Sequence, residues 1–195
     1  MSMAMLEVVV VESAAAPVLR KRAKRVTQFD DKLSAFIDDM VETMGKASGV
    51  GLAAPQVNAS QRIVVVRLPD DENSREEFGE QAGQLFEIVN PQITKGSKEM
   101  VDGVEACLSI PGVFGEVSRH ESITVKGQDR TGDKLLIKAD GWLARVFQHE
   151  IDHLDGVLFT DLATELWQDL PGEAVDEDGM ILETQPSPVE IEADK

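Results

Sequence analysis

Apolar residues recur along this chain with two different periods. Leu33, Phe36, Ile37, Met40, Val41 and Met44 fall at i, i+3, i+4, i+7, i+8 and i+11, which gathers them on one face of a helix. Asp30 or Asp31 is placed to cap its start, and the glycine-containing stretch 45–49 to close it. Residues 63–68 (IVVVRL) are unbroken and β-branched, the pattern of a strand buried on both faces, and Pro69 ends it. Shorter runs at 85–89, 92–94, 122–126 and 134–138 read as further strands. The Gly, Asn and Asp residues between them predict antiparallel turns, 127–133 (GQDRTGD) being one. Residues 70–83 are polar, acidic and glycine-containing, and predict a surface loop. Helical spacing returns over 141–154 (GWLARVFQHEIDHL), with Leu143, Val146, Phe147, Ile151 and Leu154 as the apolar stripe and Gly156 to end it. Residues 163–170 predict one more short helix. Strands that do not alternate regularly with helices give an α+β class: mainly antiparallel sheets packed around the second, central helix, with an N-terminal amphipathic helix and a short C-terminal one.

Length and charge refine this picture. At 195 residues the chain suits one compact domain, taken as 1–170, and no run approaches the roughly 20 apolar residues that a spanning helix needs. The formal charge is −17, and the last 35 residues carry −10 of it. Residues 171–195, rich in Asp, Glu, Pro and Gly, therefore predict a solvated acidic extension. A negative chain with no nucleic-acid motif argues against binding along a phosphate backbone. Its one basic run, 20–25 (RKRAKR), is short and predicts a solvated connector before the first helix. The N-terminal stretch has no positively charged segment ahead of its short apolar run, so the expected location is cytoplasmic. With a single Cys no internal disulfide is possible, and that thiol needs another explanation.

Three clusters could carry chemistry. Residues 149–153 (HEIDH) form an H-E-x-x-H segment on the central helix. Side chains four apart lie one above the other, so His149 and His153 can share one metal while Glu150 projects beside it. Two incidental histidines would give the same letters, but this helix is otherwise core-like and holds two of only three histidines in the chain. No third His follows downstream. The third ligand would be Glu165 or the lone thiol, Cys107, in 105–112 (EACLSIPG); Cys107 could equally be a small buried apolar residue. The third cluster, 49–56 (GVGLAAPQ), has small residues that let a ligand approach the backbone, and Gln56 offers an amide donor.

Together GVGLAAPQ, EACLS and HEIDHLDG resemble, in this order, the hallmark segments of the peptide deformylases, over roughly residues 15–165. The resemblance implies a bacterial-type, metal-dependent hydrolase that removes the formyl group from the formyl-methionine end of newly synthesised proteins and releases formate. It implies Cys107, His149 and His153 as metal ligands, with water in the fourth position. Glu150 becomes the general base and acid, Gln56 and the Leu108 N–H the holders of the formyl oxygen, and Val50 and Gly51 the groups that hydrogen-bond the extended substrate. Fe²⁺ is the implied ion, although such a donor set also accepts Zn²⁺, Co²⁺ and Ni²⁺. The expected partner is a nascent chain near the ribosome exit. One departure stands out: Ala106 occupies a glycine position of the family. If the backbone there had positive φ, or substrate passed very close, the methyl would cost on the order of 1 kcal/mol. Two rival readings remain, an H-E-x-x-H peptidase cutting internal bonds and a non-catalytic homologue that binds nascent chains.

Overall fold

The structure, a computed structural model, describes residues 5–168 and 187–188; the expected acidic extension lies outside the described residues apart from that dipeptide. Two antiparallel sheets flank a central helix, as expected of the α+β class. Helix α1 (Asp31–Lys46) starts where the pattern predicts: the Asp30 carboxylate accepts from the N–H groups of Lys32 and Leu33 at 3.1 and 3.0 Å, capping donors that the first turn cannot satisfy. Its stripe of Leu33, Ile37, Met40 and Met44 is buried.

The first sheet has the strand order β1-β2-β3-β6-β7, with β1 (Gly51–Ala53), β2 (Ile63–Arg67), β3 (Leu85–Gly96), β6 (Ser122–Gln128) and β7 (Lys134–Asp140). Residues 63–66 are fully buried because β2 lies between two helices. Ile63 and Val65 join the cluster built on α1, while Val64 and Val66 join the cluster built on α3 (Gly141–Asp155). Alternation in direction without alternation in polarity is what an unbroken apolar strand requires.

The second sheet, in the order β4-β5-β8-β9, has β4 (Met100–Cys107), β5 (Ile110–His120), β8 (Glu165–Gln168) and β9 (Ser187–Pro188). Its principal unit is a long hairpin whose two-residue turn is Leu108-Ser109. The sequence pattern did not announce this hairpin, since β4 mixes Asp102, Gly103 and Glu105 with exposed Val101 and Val104.

Three expectations need correction. Residues 163–168 do not begin a helix: Glu165–Gln168 pairs with β5, where Leu166 lies opposite Gly115 and Trp167 opposite Phe114, so strand pairing satisfies backbone that a short helix would leave half unpaired. The expected loop at 70–83 contains a short helix, α2 (Glu72–Phe78), capped by the Asp71 carboxylate on the Ser74 N–H at 2.9 Å and anchored by Phe78 stacked on Trp142. The runs at 85–89 and 92–94 are one strand, β3, interrupted by register shifts rather than by a turn. Among the described residues no helix is long and apolar enough to cross a membrane.

Candidate metal centre

Helix α3 brings its histidines to the turn end of the β4–β5 hairpin. One ligand atom each from Cys107, His149 and His153 lies within 4.8 Å of the others, and these three residues are buried. Cys107 Sγ is 3.2 Å from His153 Nε2, and the two imidazoles meet edge to face at 4.9 Å between centroids. Cys107 is the last residue of β4, immediately before the turn, and a register irregularity between Ala106 and Cys107 marks the change of direction. Glu165, the alternative third ligand, is exposed on β8 and does not join the group.

Electrostatics inside this cluster depart from those in water. Burial pushes the Cys107 thiol up, but His153 and His149 outweigh it and hold the thiol well below its ordinary value. Burial likewise acts to lower His149, and its hydrogen bonds with Cys107 and Glu105 raise it instead. Glu150 is governed by burial, which lifts its carboxyl to about 7 despite the two histidines. A carboxyl poised near neutrality can both take and return a proton.

The donor set fits a divalent ion. A thiolate with two imidazoles is the choice of borderline-soft metals, and three protein ligands leave a position open. Glu150 Oε2 and His153 Nδ1 are buried without a protein partner, and an orphaned carboxylate oxygen at such a centre suits water held in the open position.

Gln56, almost fully buried, points its amide at the same place. Its Oε1 accepts from the Ala53 N–H at 2.8 Å, and Nε2 lies 3.5 Å from Cys107 Sγ and 3.4 Å from Ser109 Oγ. The small residues ahead of it have a sharper role than general closeness to a ligand: a Cβ at Gly51 would sit 2.3 Å from Glu150 Oε1, so only glycine leaves the carboxylate its room. Val50, Gly51, Gln56, Leu108, Val146 and Glu150 all line one cavity of about 350 Å³, which opens beside Cys107. Ala106 lines it too. Its backbone is outside the left-handed region, so the feared strain is absent and the methyl simply faces the cavity. His120, the remaining histidine, bonds the Ser97 carbonyl at 2.8 Å and takes no part.

Sequence reasoning missed the layer behind the ligands. The Glu105 carboxylate, held down at about 2 against the pull of burial, accepts two hydrogen bonds from Arg119 at 2.9 Å each, one from Arg145 at 3.0 Å and one from His149 Nδ1 at 2.9 Å. That last bond fixes which imidazole nitrogen faces the centre. Arg119 also reaches Asp152. The available signal was on α3: Arg145, Gln148, His149, Asp152 and His153 recur at helical spacing, a second stripe that a pattern search assigns to solvent.

The chain is similar to known proteins over most of its length. The polypeptide deformylase family matches residues 6–168. A peptide deformylase from Symbiobacterium thermophilum is 46% identical over 186 residues, covering 95% of this chain and 79% of that protein. Among solved structures, the peptide deformylase of Thermotoga maritima superposes with a TM-score of 0.72 at 41% identity, covering 83% of this chain and 99% of the other. A Met-Ala-Ser-bound class I type b peptide deformylase from Acinetobacter baumannii superposes with a TM-score of 0.74 at 32% identity, over 83% and 99% of the two chains.

Proposed function

The chain belongs to the polypeptide deformylase family, and from that premise we propose how its residues divide the work. The reaction is hydrolysis of the formyl amide at the formyl-methionine end of new polypeptides, with release of formate, and it is metal-dependent. Cys107, His149 and His153 would hold the ion. The observation that carries this reading is the convergence of these three buried donors from two elements, with the Glu150 carboxyl beside them.

A divalent ion bound there would supply Lewis acidity, which makes a water beside it easier to deprotonate near neutral pH. Glu150 accepts the proton of the attacking water and returns it to the departing amine; a pKa of about 7 suits both transfers. The Gln56 amide and the Leu108 N–H donate to the oxygen that becomes negative as the formyl carbon turns tetrahedral. Val50 and Gly51 present backbone groups to an extended peptide, and Val146 and Val50 offer the methionine side chain an apolar wall. Fe²⁺ is the proposed working ion, with Zn²⁺, Co²⁺ or Ni²⁺ as substitutes. Residues 1–170 are proposed as the catalytic unit, acting in the cytoplasm near the ribosome exit.

Formate release from formyl-methionyl peptides, measured beside unformylated ones and with metal content determined in parallel, tests the assignment. Glu150→Ala is expected to keep its metal and lose roughly 100- to 10,000-fold in kcat. Cys107→Ser is expected to lose metal on dialysis. Near-wild-type turnover in the first variant, or unchanged metal in the second, removes that residue from its role. Cleavage of internal bonds without preference for the formyl group would favour the rival peptidase.

A further inference from the structure

Resting on the substrate site just described, we propose that Arg145 is a positioning residue for substrate: it fixes the β4 wall of the cleft to the metal-bearing helix. Arg145 lies one turn before His149 on α3, with its side chain about nine-tenths buried. Its guanidinium gathers four acceptors, all from the β4–β5 hairpin. Nη1 donates to the Val117 carbonyl at 2.8 Å, to Glu105 Oε1 at 3.0 Å and to the Gly103 carbonyl at 3.3 Å, and Nη2 donates to the Val101 carbonyl at 2.6 Å. Gly103 makes this possible. A Cβ there would stand 2.9 Å from the guanidinium carbon and from Nη2, so the strand's one glycine is where the planar group lies flat against it.

The part of the hairpin held in this way faces the cleft. Val104 and Ala106, which alternate with the tethered residues, line the cavity together with Glu105 and Arg145, and Val50 and Gly51 are also on its lining. β1 and β4 are each the edge of their own sheet, so an extended peptide entering between them meets backbone on either side. Cys107 is anchored separately. It lies beyond the register irregularity and packs in the cluster that contains Ile110, Leu158 and Phe159, and Glu105 keeps its two Arg119 bonds and its bond to His149 when Arg145 is removed, so loosening 101–104 leaves the ligands in place. A lysine would carry the charge but could not span four acceptors in fixed directions.

The test is steady-state formate release by the metal-loaded enzyme, using formyl-Met amide and a formyl-Met tripeptide, on Arg145→Met, Arg145→Lys, Gly103→Ala and the Gly103→Ala/Arg145→Met double variant. Arg145→Met is expected to raise KM for the tripeptide about tenfold, with less effect on the amide, and to leave kcat and metal content within about twofold. Arg145→Lys does not rescue. Gly103→Ala reproduces the KM defect alone and adds little in the double variant, because the methyl then occupies vacated space. Unchanged KM, equal loss on both substrates, kcat and metal falling together, or additive effects of the two substitutions would each overturn the proposal. If Arg145→Met fails to fold, the Gly103→Ala result on the two substrates decides alone. Absence of formate release by the wild type on either substrate is a different outcome, and sinks the parent reading instead.

Discussion

Helix α3 has two buried faces built on opposite principles. Toward the five-stranded sheet it presents Leu143, Ala144, Phe147, Ile151 and Leu154, packed on Val64, Val66, Ile88 and Val125. Toward the hairpin it presents Arg145, Gln148, His149, Asp152 and His153, each with named polar partners: Gln148, for instance, donates to the His120 carbonyl and accepts from its N–H, both at 3.0 Å. The apolar face is held by area and shape, which are forgiving of direction. The polar face is held by directed bonds among groups that would be costly to bury singly. One face tolerates substitution in proportion to volume, whereas the other responds to loss of a single atom's bonding capacity.

That contrast is open to measurement. Glu105→Gln keeps the volume and removes the charge that Arg119, Arg145 and His149 share; metal affinity or turnover is expected to fall about 10- to 100-fold. The same variant tests acid stability. Because the Glu105 carboxyl is held at about 2 in the fold, below its ordinary 4.5, its stabilisation is present above pH 4.5 and fades as pH falls toward 2. Thermal melts over that window should drop more steeply for the wild type than for Glu105→Gln, and parallel curves would discard the charge argument. On the other face, Ile151→Val should cost about 1 kcal/mol in denaturant unfolding and leave kcat within twofold; a large catalytic loss there would break the comparison. Smallest of all, Ala106→Gly should leave kcat/KM equal or slightly higher, since the methyl is unstrained and only faces the cavity.

The two faces also differ in how they were legible. Leu143, Phe147, Ile151 and Leu154 are visible as periodicity, and the same argument found α1 and the doubly buried β2. His149, Glu150, His153 and Cys107 were readable because rare residue types stood in a recognisable order. Arg145 and Asp152 were not, because charged residues at helical spacing normally mean solvent, and only the docked hairpin turns that face inward; Arg119, on β5, was not either, because its partners Glu105 and Asp152 lie on other elements. Glu105 lay in plain view two residues before Cys107, yet its role depends on partners 14, 40 and 44 positions away. For the same reason β4 escaped notice: its Gly103 and Glu105 look like loop residues until the guanidinium they accommodate is in place. Residues 165–168 were misjudged because the free edge of β5 decides for a strand, and no local pattern announces a free edge.

The three ligand donors are supplied by a hairpin and a helix, 42 or more positions apart in the chain, and they meet only after both have docked. An ion held by all three therefore binds the folded chain and not the unfolded one. By mass action, free metal at about a thousandfold its dissociation constant would add about 4 kcal/mol to the unfolding free energy. The melting temperature of this protein then becomes a gauge of metal supply, and starvation for the ion would reach the cell as a loss of protein as well as a loss of activity.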